Sequence, residues 1–403
     1  MFSSLPDGGS SARVRLTSHS VESSAVALDP RFAARARQPG LDLLRAVAIL
    51  LVLFYHAGLF GFALPGQVQR FGWIGVDLFF VLSGYLIAGQ LLSSVARGAQ
   101  FNVRRFFWRR ALRILPAYLV IVAIYFGWAA LREYPTIPPL WKFLTFTQNL
   151  GLHGGTAFSH AWSLCVEAQF YLALPVVLVG LRKLGRGGVR VAVAIILSGI
   201  LLRGTIASSL AVDGAVPFHG FQPCIYYATW TRLDPLVLGV SLAALEKLRP
   251  AWWSALQRSA GWLWLVGLAL ICFALYLGEG ETLTIATCVW QFPLLAVGLA
   301  MFLVCAASSR LSVAHVGVPG VGFVASIAYS VYLSHKLVVH AVAKFCEPRG
   351  IPPTSMLRIT LAIMSSGVVG AALFFAVERP FLNYRQRTIS ASNPHNPADH
   401  RAI

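Results

Sequence analysis

The sequence predicts an all-α polytopic membrane bundle of about ten transmembrane helices with both termini in the cytosol. Three observations carry this. Hydrophobic residues make up 57% of the 403 and charged residues only 12%, about half the charged share of a soluble domain. Ten predominantly apolar stretches reach the roughly 20 residues that a helix needs to cross the hydrocarbon layer. Lysine and arginine gather in alternate loops between them, as cytosolic loops do. A soluble globule is excluded. So are a disordered chain, which lacks this much apolar surface, and a fibrous one, which needs a repeat. The formal net charge of +18 does not point to nucleic acid, because the basic residues lie between apolar runs rather than on one soluble face.

In chain order, residues 1–40 are rich in Ser, Ala and Arg without a continuous apolar core, and read as a disordered cytosolic leader rather than a signal peptide. The spans fall near 41–63, 73–95, 112–131, 162–181, 189–211, 226–246, 260–278, 284–306, 322–345 and 356–378. The sixth contains Arg232, Asp234 and Pro235, and the proline breaks its hydrogen-bond ladder unless neighbouring protein repairs it. Arg31, Arg35 and Arg37 precede the first span. Arg97, Arg104, Arg105, Arg109 and Arg110 fill the second loop, Arg182, Lys183, Arg186 and Arg190 the fourth, and Lys247, Arg249 and Arg258 the sixth. Arg379, Arg385 and Arg387 follow the last span, while the seventh loop carries only Glu279 and Glu281. Charge therefore places the even loops and both ends in the cytosol. The domains expected are the leader, a transmembrane domain over 41–381 and a short cytosolic tail over 382–403.

The longest external loop, about 132–161, has Pro135, Pro138, Pro139 and a Gly-rich stretch from Gly151 to Gly155. It has the length for a short re-entrant or surface helix beside an acceptor site. The six cysteines have no ligand or disulfide spacing and read as small hydrophobes, so no metal is expected. No internal repeat or inverted pair of halves is visible, which disfavours a secondary carrier, and no appended soluble domain is expected.

A charge at the bilayer centre costs at least about 2.5–3.5 kcal/mol, so each intramembrane charge is a functional candidate. The acids are Asp42, Asp77, Glu167, Asp234 and Glu378; Arg45, Arg203, Arg232 and Lys336 are basic counterparts, with His56, His335 and His340. Arg45 and His56 are eleven positions apart, which on a helix brings them to within about 20° of one face and about 16 Å apart. Arg45, near the cytosolic end, suits a phosphate, and His56, deeper, suits a proton. Taken alone, the pair also fits a snorkelling flank and a satisfied interior histidine.

Asp77 opens the second span and is placed to orient a histidine or pair with an arginine, and Gly75 and Gly84 permit close helix approach. In the basic, aromatic segment from Phe106 to Tyr118, Arg109, Arg110 and Arg113 fit either a membrane anchor or a polyanionic cytosolic donor. Ser163, Glu167 and Tyr171 form a stripe at four-residue steps, and Tyr329, Tyr332 and His335 one at three-residue steps; interhelical glue would explain either.

In combination these pieces resemble the acyltransferase-3 family of integral membrane O-acyltransferases, over about Leu41 to Pro380. The matching pieces are Arg45 with His56, the run from Gly75 to Gly84, Arg113 to Pro116 with its preceding arginines, and Trp162-Ser163-Leu164 with Glu167, Phe170 and Tyr171. Arg232 with Asp234, Tyr329 to His335, and Glu378-Arg379-Pro380 complete the series. The resemblance implies transfer of an acyl group, usually acetyl, from acyl-CoA to a hydroxyl of a sugar or glycolipid acceptor, in the bacterial cytoplasmic (inner) membrane. It also implies either action alone or completion by a separate extracytoplasmic transferase. His56 is then the expected general base and Arg45 the donor-positioning residue, with Asp77 and Glu167 orienting or charging His56. Arg109, Arg110 and Arg113 would draw in the donor, and Trp162, Ser163, Tyr171, Arg232, Asp234, Tyr332 and His335 would bind substrate. Direct transfer and an acyl-histidine intermediate both fit. A transporter or flippase using the same charges as a proton relay is the alternative.

Overall fold

The computed structural model describes residues 38–63, 68–96, 102–184, 187–280, 282–308 and 318–391. The expected leader with Arg31, Arg35 and Arg37, the loop residues Arg97, Arg186 and Glu281, and the tail beyond residue 391 lie outside the described residues. The helices that build the bundle are α1 (Pro39–Leu59), α2 (Ile74–Ala96), α3 (Val103–Gly127), the short α4 (Leu140–Leu144), α5 (Trp162–Leu184) and α6 (Gly187–Leu210). They continue with α7 (Asp234–Leu248), α8 (Pro250–Arg258), α9 (Ala260–Leu277), α10 (Ile285–Ala306), α11 (Val321–Cys346), α12 (Met356–Leu373) and α13 (Arg379–Ala391). Two-residue strands, β1 (Ala215–Val216) and β2 (Leu283–Thr284), pair antiparallel across two loops.

Among the described residues, nine helices are long and apolar enough to cross a membrane. The sixth expected span departs from the others. Phe218–Phe221 is one α turn, Gln222–Tyr226 a π turn and Thr229–Thr231 a 3₁₀ turn, and only from Asp234 does a regular 15-residue helix, α7, begin. The irregular backbone is satisfied by protein, as lipid requires: Asn149 Nδ2 donates to the Tyr227 carbonyl at 3.0 Å, and Arg203 Nη1 to that of Thr231 at 2.6 Å. Pro235 falls in the first turn of α7, where its missing N–H has no helical partner to lose.

Despite its length, α7 is central. It runs parallel to α2: Arg232 just before it meets Asp77, Gly239 meets Gly84, and Glu246 accepts from the Tyr85 hydroxyl at 2.7 Å. It therefore carries the chain in the same direction as α2. The two helices touch through backbone. A Cβ on Gly84 would strike the Leu236 carbonyl oxygen, and one on Gly239 that of Val81. Gly75 lies likewise against the Ala48 carbonyl of α1. The close approach expected at Gly75 and Gly84 is present, and Gly239 is its unforeseen counterpart.

The long external loop also contains helix, at α4 and at the 3₁₀ turn Ser159–Ala161. It folds inward. Phe143 and Phe158 are fully buried, their rings stack at 5.6 Å, and Phe158 also stacks on Tyr125 of α3 at 4.4 Å. Phe158 holds a left-handed φ of 56°, a conformation that a bulky residue keeps only where packing over-determines it.

Gly239→Leu should force α7 away from α2. Overpacking of a tight contact costs about 1–3 kcal/mol, read as a lowered melting temperature in detergent, whereas Gly89→Leu, at a position open to space, should leave it unchanged.

Candidate active site

The bundle holds its polar groups in three tiers. At one end, His56 of α1, His160 of the 3₁₀ turn and His335 of α11 meet, with ring centroids 4.8 Å apart for His56–His335 and His160–His335 and 6.0 Å for His56–His160. Each ring faces a backbone carbonyl through one nitrogen: His56 Nδ1 to Val52 at 2.9 Å, His335 Nδ1 to Tyr332 at 2.7 Å and His160 Nε2 to Leu333 at 3.3 Å. A carbonyl only accepts, so in the neutral ring that nitrogen carries the hydrogen. This tautomer follows from the partner rather than from a seen proton. The opposite nitrogen of each ring keeps its lone pair. His160 Nδ1 and His335 Nε2 are buried without a partner, the state of acceptors awaiting a donor.

Around the histidines, the Tyr332 hydroxyl lies 2.5 Å from Ser163 Oγ and donates to the His160 carbonyl at 2.7 Å. Lys336 Nζ lies 3.0 Å from Glu133 and donates to Ser159 Oγ at 3.0 Å. Tyr134 stands beside that ammonium, ring centroid to Nζ 5.4 Å, with its hydroxyl held above the ordinary range by burial and by the Glu133 charge. Of the expected substrate-binding residues, His335, Tyr332 and Ser163 lie here. Glu133 belongs to the loop and so falls outside the intramembrane acids; its cue in the sequence is Lys336, a mid-span ammonium that needs a carboxylate. His160 stands just before the fourth expected span, 162–181, and has no role predicted from sequence.

The second tier is ionic. Arg232 Nη2 donates to both carboxylate oxygens of Asp77 at 2.9 Å, and Arg203 grips Asp234 at 2.6 and 3.2 Å, all four groups nearly devoid of exposure. The guanidinium of Arg232 also lies 3.9 Å from the Phe292 ring centroid, 5.0 Å from Tyr226 and 5.5 Å from Trp162, an aromatic cage that favours a cation. Arg232 and Asp234 therefore belong to two pairs, and Asp77 takes the arginine rather than a histidine. Glu167 is held by hydroxyls: its carboxylate is occupied by those of Ser83 and Tyr171, with no contact to a histidine among the described residues. The i,i+4 stripe puts Tyr171 on Glu167 as the spacing requires.

The third tier is basic. Arg45 pairs with Asp42 at 2.5 Å. Its charge also senses Arg113, which lies 3.9 Å from Glu378. Arg110 donates to Gln90 at 2.7 Å and has Arg109, Arg113 and Glu167 as charged neighbours. Glu378 ends a π turn, Phe374–Glu378, joining α12 to α13, and accepts from Ser330 Oγ at 2.8 Å; such turns recur where a helix must re-aim a side chain.

The sequence model described as an acyltransferase domain, that of the acyltransferase-3 family, matches residues 38–376. The chain belongs to this family. A Staphylococcus aureus (strain COL) relative named "Putative O-acetyltransferase SACOL0978" is 32% identical over 223 residues, covering 51% of this chain and 34% of the relative. The Bacillus subtilis (strain 168) protein named "Putative peptidoglycan O-acetyltransferase YrhL" is 32% identical over 228 residues, covering 52% and 34%. O-acetyltransferase OatA of S. aureus (strain NCTC 8325 / PS 47) is 31% identical over 224 residues, covering 51% and 34%. The matched region spans about a third of the length of these curated relatives. No solved structure matches the chain. In this acyltransferase-3 chain, the family match includes the three histidines, both ion pairs of the second tier and the arginines from Arg45 to Arg113; it ends before α13.

Asp77→Ala should strand the buried Arg232 charge, a change that typically costs about 3–5 kcal/mol, while the paired change Asp77→Leu with Arg232→Met should recover much of it. Thermal unfolding of purified protein checks both. A normally stable Asp77→Ala protein that has lost only turnover would return Asp77 to the reaction.

Proposed function

We propose that this acyltransferase moves an acyl group, acetyl in the simplest case, from a coenzyme A thioester at the arginine tier to a sugar hydroxyl at the histidine tier. The supporting observation is that Arg45 and His56 share one face of α1, about 16 Å apart. The Arg113 guanidinium stands within electrostatic reach of the first, and two imidazoles lie against the second. A charged, phosphate-bearing head fits the arginines bidentately, and the long pantetheine arm of coenzyme A suits the distance between tiers. The basic loops favour the cytosol for the arginine end and the far side for the histidine end, in a bacterial inner membrane. The names of the relatives favour an O-acetyl product on a cell-wall glycan or similar carbohydrate.

In this reading His56 Nε2 takes the hydroxyl proton as the sugar oxygen attacks the thioester carbonyl carbon. The Ser163 and Tyr332 hydroxyls, linked to each other and to the His160 carbonyl, hold the wall beside this reaction. Collapse breaks the carbon–sulfur bond, and the departing sulfur receives the proton from the His56 imidazolium. The free nitrogens of His160 and His335 accept from neighbouring acceptor hydroxyls and fix the attacking oxygen. Lys336 with Glu133 anchors the loop over this pocket. Asp77, Arg232, Arg203 and Asp234 hold the scaffold.

His56→Gln keeps size and polarity without a titratable nitrogen. Acetyl-CoA turnover by purified protein should fall about 10²–10⁴-fold with an unchanged melting temperature, and activity within a few-fold of wild type would remove His56 as base. Arg45→Lys retains the charge without the planar fork and should raise the KM for acetyl-CoA almost as much as Arg45→Ala. Wild-type protein that neither binds coenzyme A nor consumes a thioester would favour the transporter alternative.

A further inference from the structure

Three arginines follow the last span on α13, and they do not behave alike. Arg379 and Arg387 are exposed, as headgroup-facing cations are. Arg385 is 9% exposed. It faces into the protein, where the charged groups around it are Arg113, Arg110, Arg109 and Glu378. Three of these four repel it. Among the described residues its guanidinium has no carboxylate within salt-bridge distance, and its Nε is buried without a hydrogen-bond partner. Glu378 is already engaged by Ser330 and Arg113. A guanidinium that was only an interfacial anchor would snorkel outward; this one is turned toward like charge.

Length explains how it arrives there. The unbroken run Met356–Thr388 has 33 residues, about 50 Å of helix against a hydrocarbon layer of about 30 Å. The excess emerges at the arginine tier, where the π turn at Phe374–Glu378 re-aims it against α3. We propose that α13 is a wall of the donor site and that Arg385 binds a phosphate of the acyl donor together with Arg109, Arg110 and Arg113. This rests on the donor reading above and extends the site past residue 376, where the family match ends. A phosphate supplies the negative charge that Arg385 lacks, since Glu378 and, beside Arg110, Glu167 are already held by other groups, and its oxygens suit the planar fork.

The test compares Arg385→Gln with Arg387→Gln, which removes the same charge from the exposed face of the same helix. Purified proteins are assayed with acetyl-CoA and with acetyl-pantetheine, a thioester without phosphates. Loss of a charge-assisted hydrogen bond predicts a rise in KM for acetyl-CoA of about 10- to 100-fold in Arg385→Gln. Its kcat, its slow rate on acetyl-pantetheine and all parameters of Arg387→Gln should stay within about two-fold of wild type. Equal loss on both donors would assign Arg385 to structure and overturn the proposal, as would an unchanged KM. Assay in phosphatidylcholine vesicles with and without phosphatidylglycerol separates a lipid phosphate: if Arg385→Gln abolishes only stimulation by the anionic lipid, a headgroup occupies the site and the proposal fails. A wild-type protein that does not saturate with acetyl-CoA would bring down the donor reading, and this role with it, whereas failure of Arg385 alone leaves wild type saturable.

Discussion

A charge inside a bilayer has to meet its partner inside the protein, and that requirement organises this molecule more than any apolar contact does. Helices packed in lipid gain little from burying leucine against leucine, since lipid tails are as apolar as the side chains. Asp77 with Arg232 fixes the start of α7 against the start of α2, and Arg203 with Asp234 ties α6 to the same point. From there Gly84 and Gly239 let the two parallel helices run in backbone contact. Removing the ion pairs would leave α7, at 15 residues too short to span the layer easily, without a reason to stay at that depth. The irregular segment before it is tolerable for the same reason, because Asn149 and Arg203 serve its carbonyls.

The same constraint separates scaffold from site. Carboxylates and guanidiniums that meet in pairs have their charges balanced within the protein. The groups left over are different in kind: imidazole nitrogens with lone pairs and no donor at one end, and guanidiniums outnumbering carboxylates at the other. One set lacks protons and the other lacks negative charge. In the proposed reaction a hydroxyl supplies the first, and a phosphate-bearing thioester the second. That Arg45 and His56 stand on one helix joins the two ends mechanically, since a rigid α1 fixes their separation.

Much of the fold was legible in the sequence because spans are set by length and hydropathy, which are local properties. The sixth span was the difficult one for a physical reason: its polar residues are solved by distant partners, Asp77 some 155 positions away and Arg203 some 31, and no window along the chain contains them. Site residues divide in the same way. Helical spacing put Arg45 with His56 and Tyr171 with Glu167, both within one helix. Arg232 and Asp234, two positions apart and expected to bind substrate, each have their own distant partner in the structure. Glu133, His160 and Arg385 stayed without a role because a loop acid, a residue at a helix entrance and a tail arginine look ordinary until α11 and α3 are set beside them.

The external loop extends this argument from the scaffold to the chemistry. A loop of this length over a membrane protein is usually mobile, yet here Phe143 and Phe158 are sunk against Tyr118 and Tyr125 of α3, and Glu133 holds Lys336 of α11. His160 is delivered by this loop, while His56 and His335 come from helices. The histidine cluster is therefore assembled only when the loop is docked. Its aromatic anchors and its one buried ion pair set the ring separations on which any proton transfer to His56 would depend. A loop tied at both an apolar and an ionic point is rigid enough to present three imidazoles as one surface, and it leaves the lone-pair nitrogens of His160 and His335 without a partner inside the protein. That combination of a rigid frame with unsatisfied acceptors is what a hydroxyl-binding pocket requires.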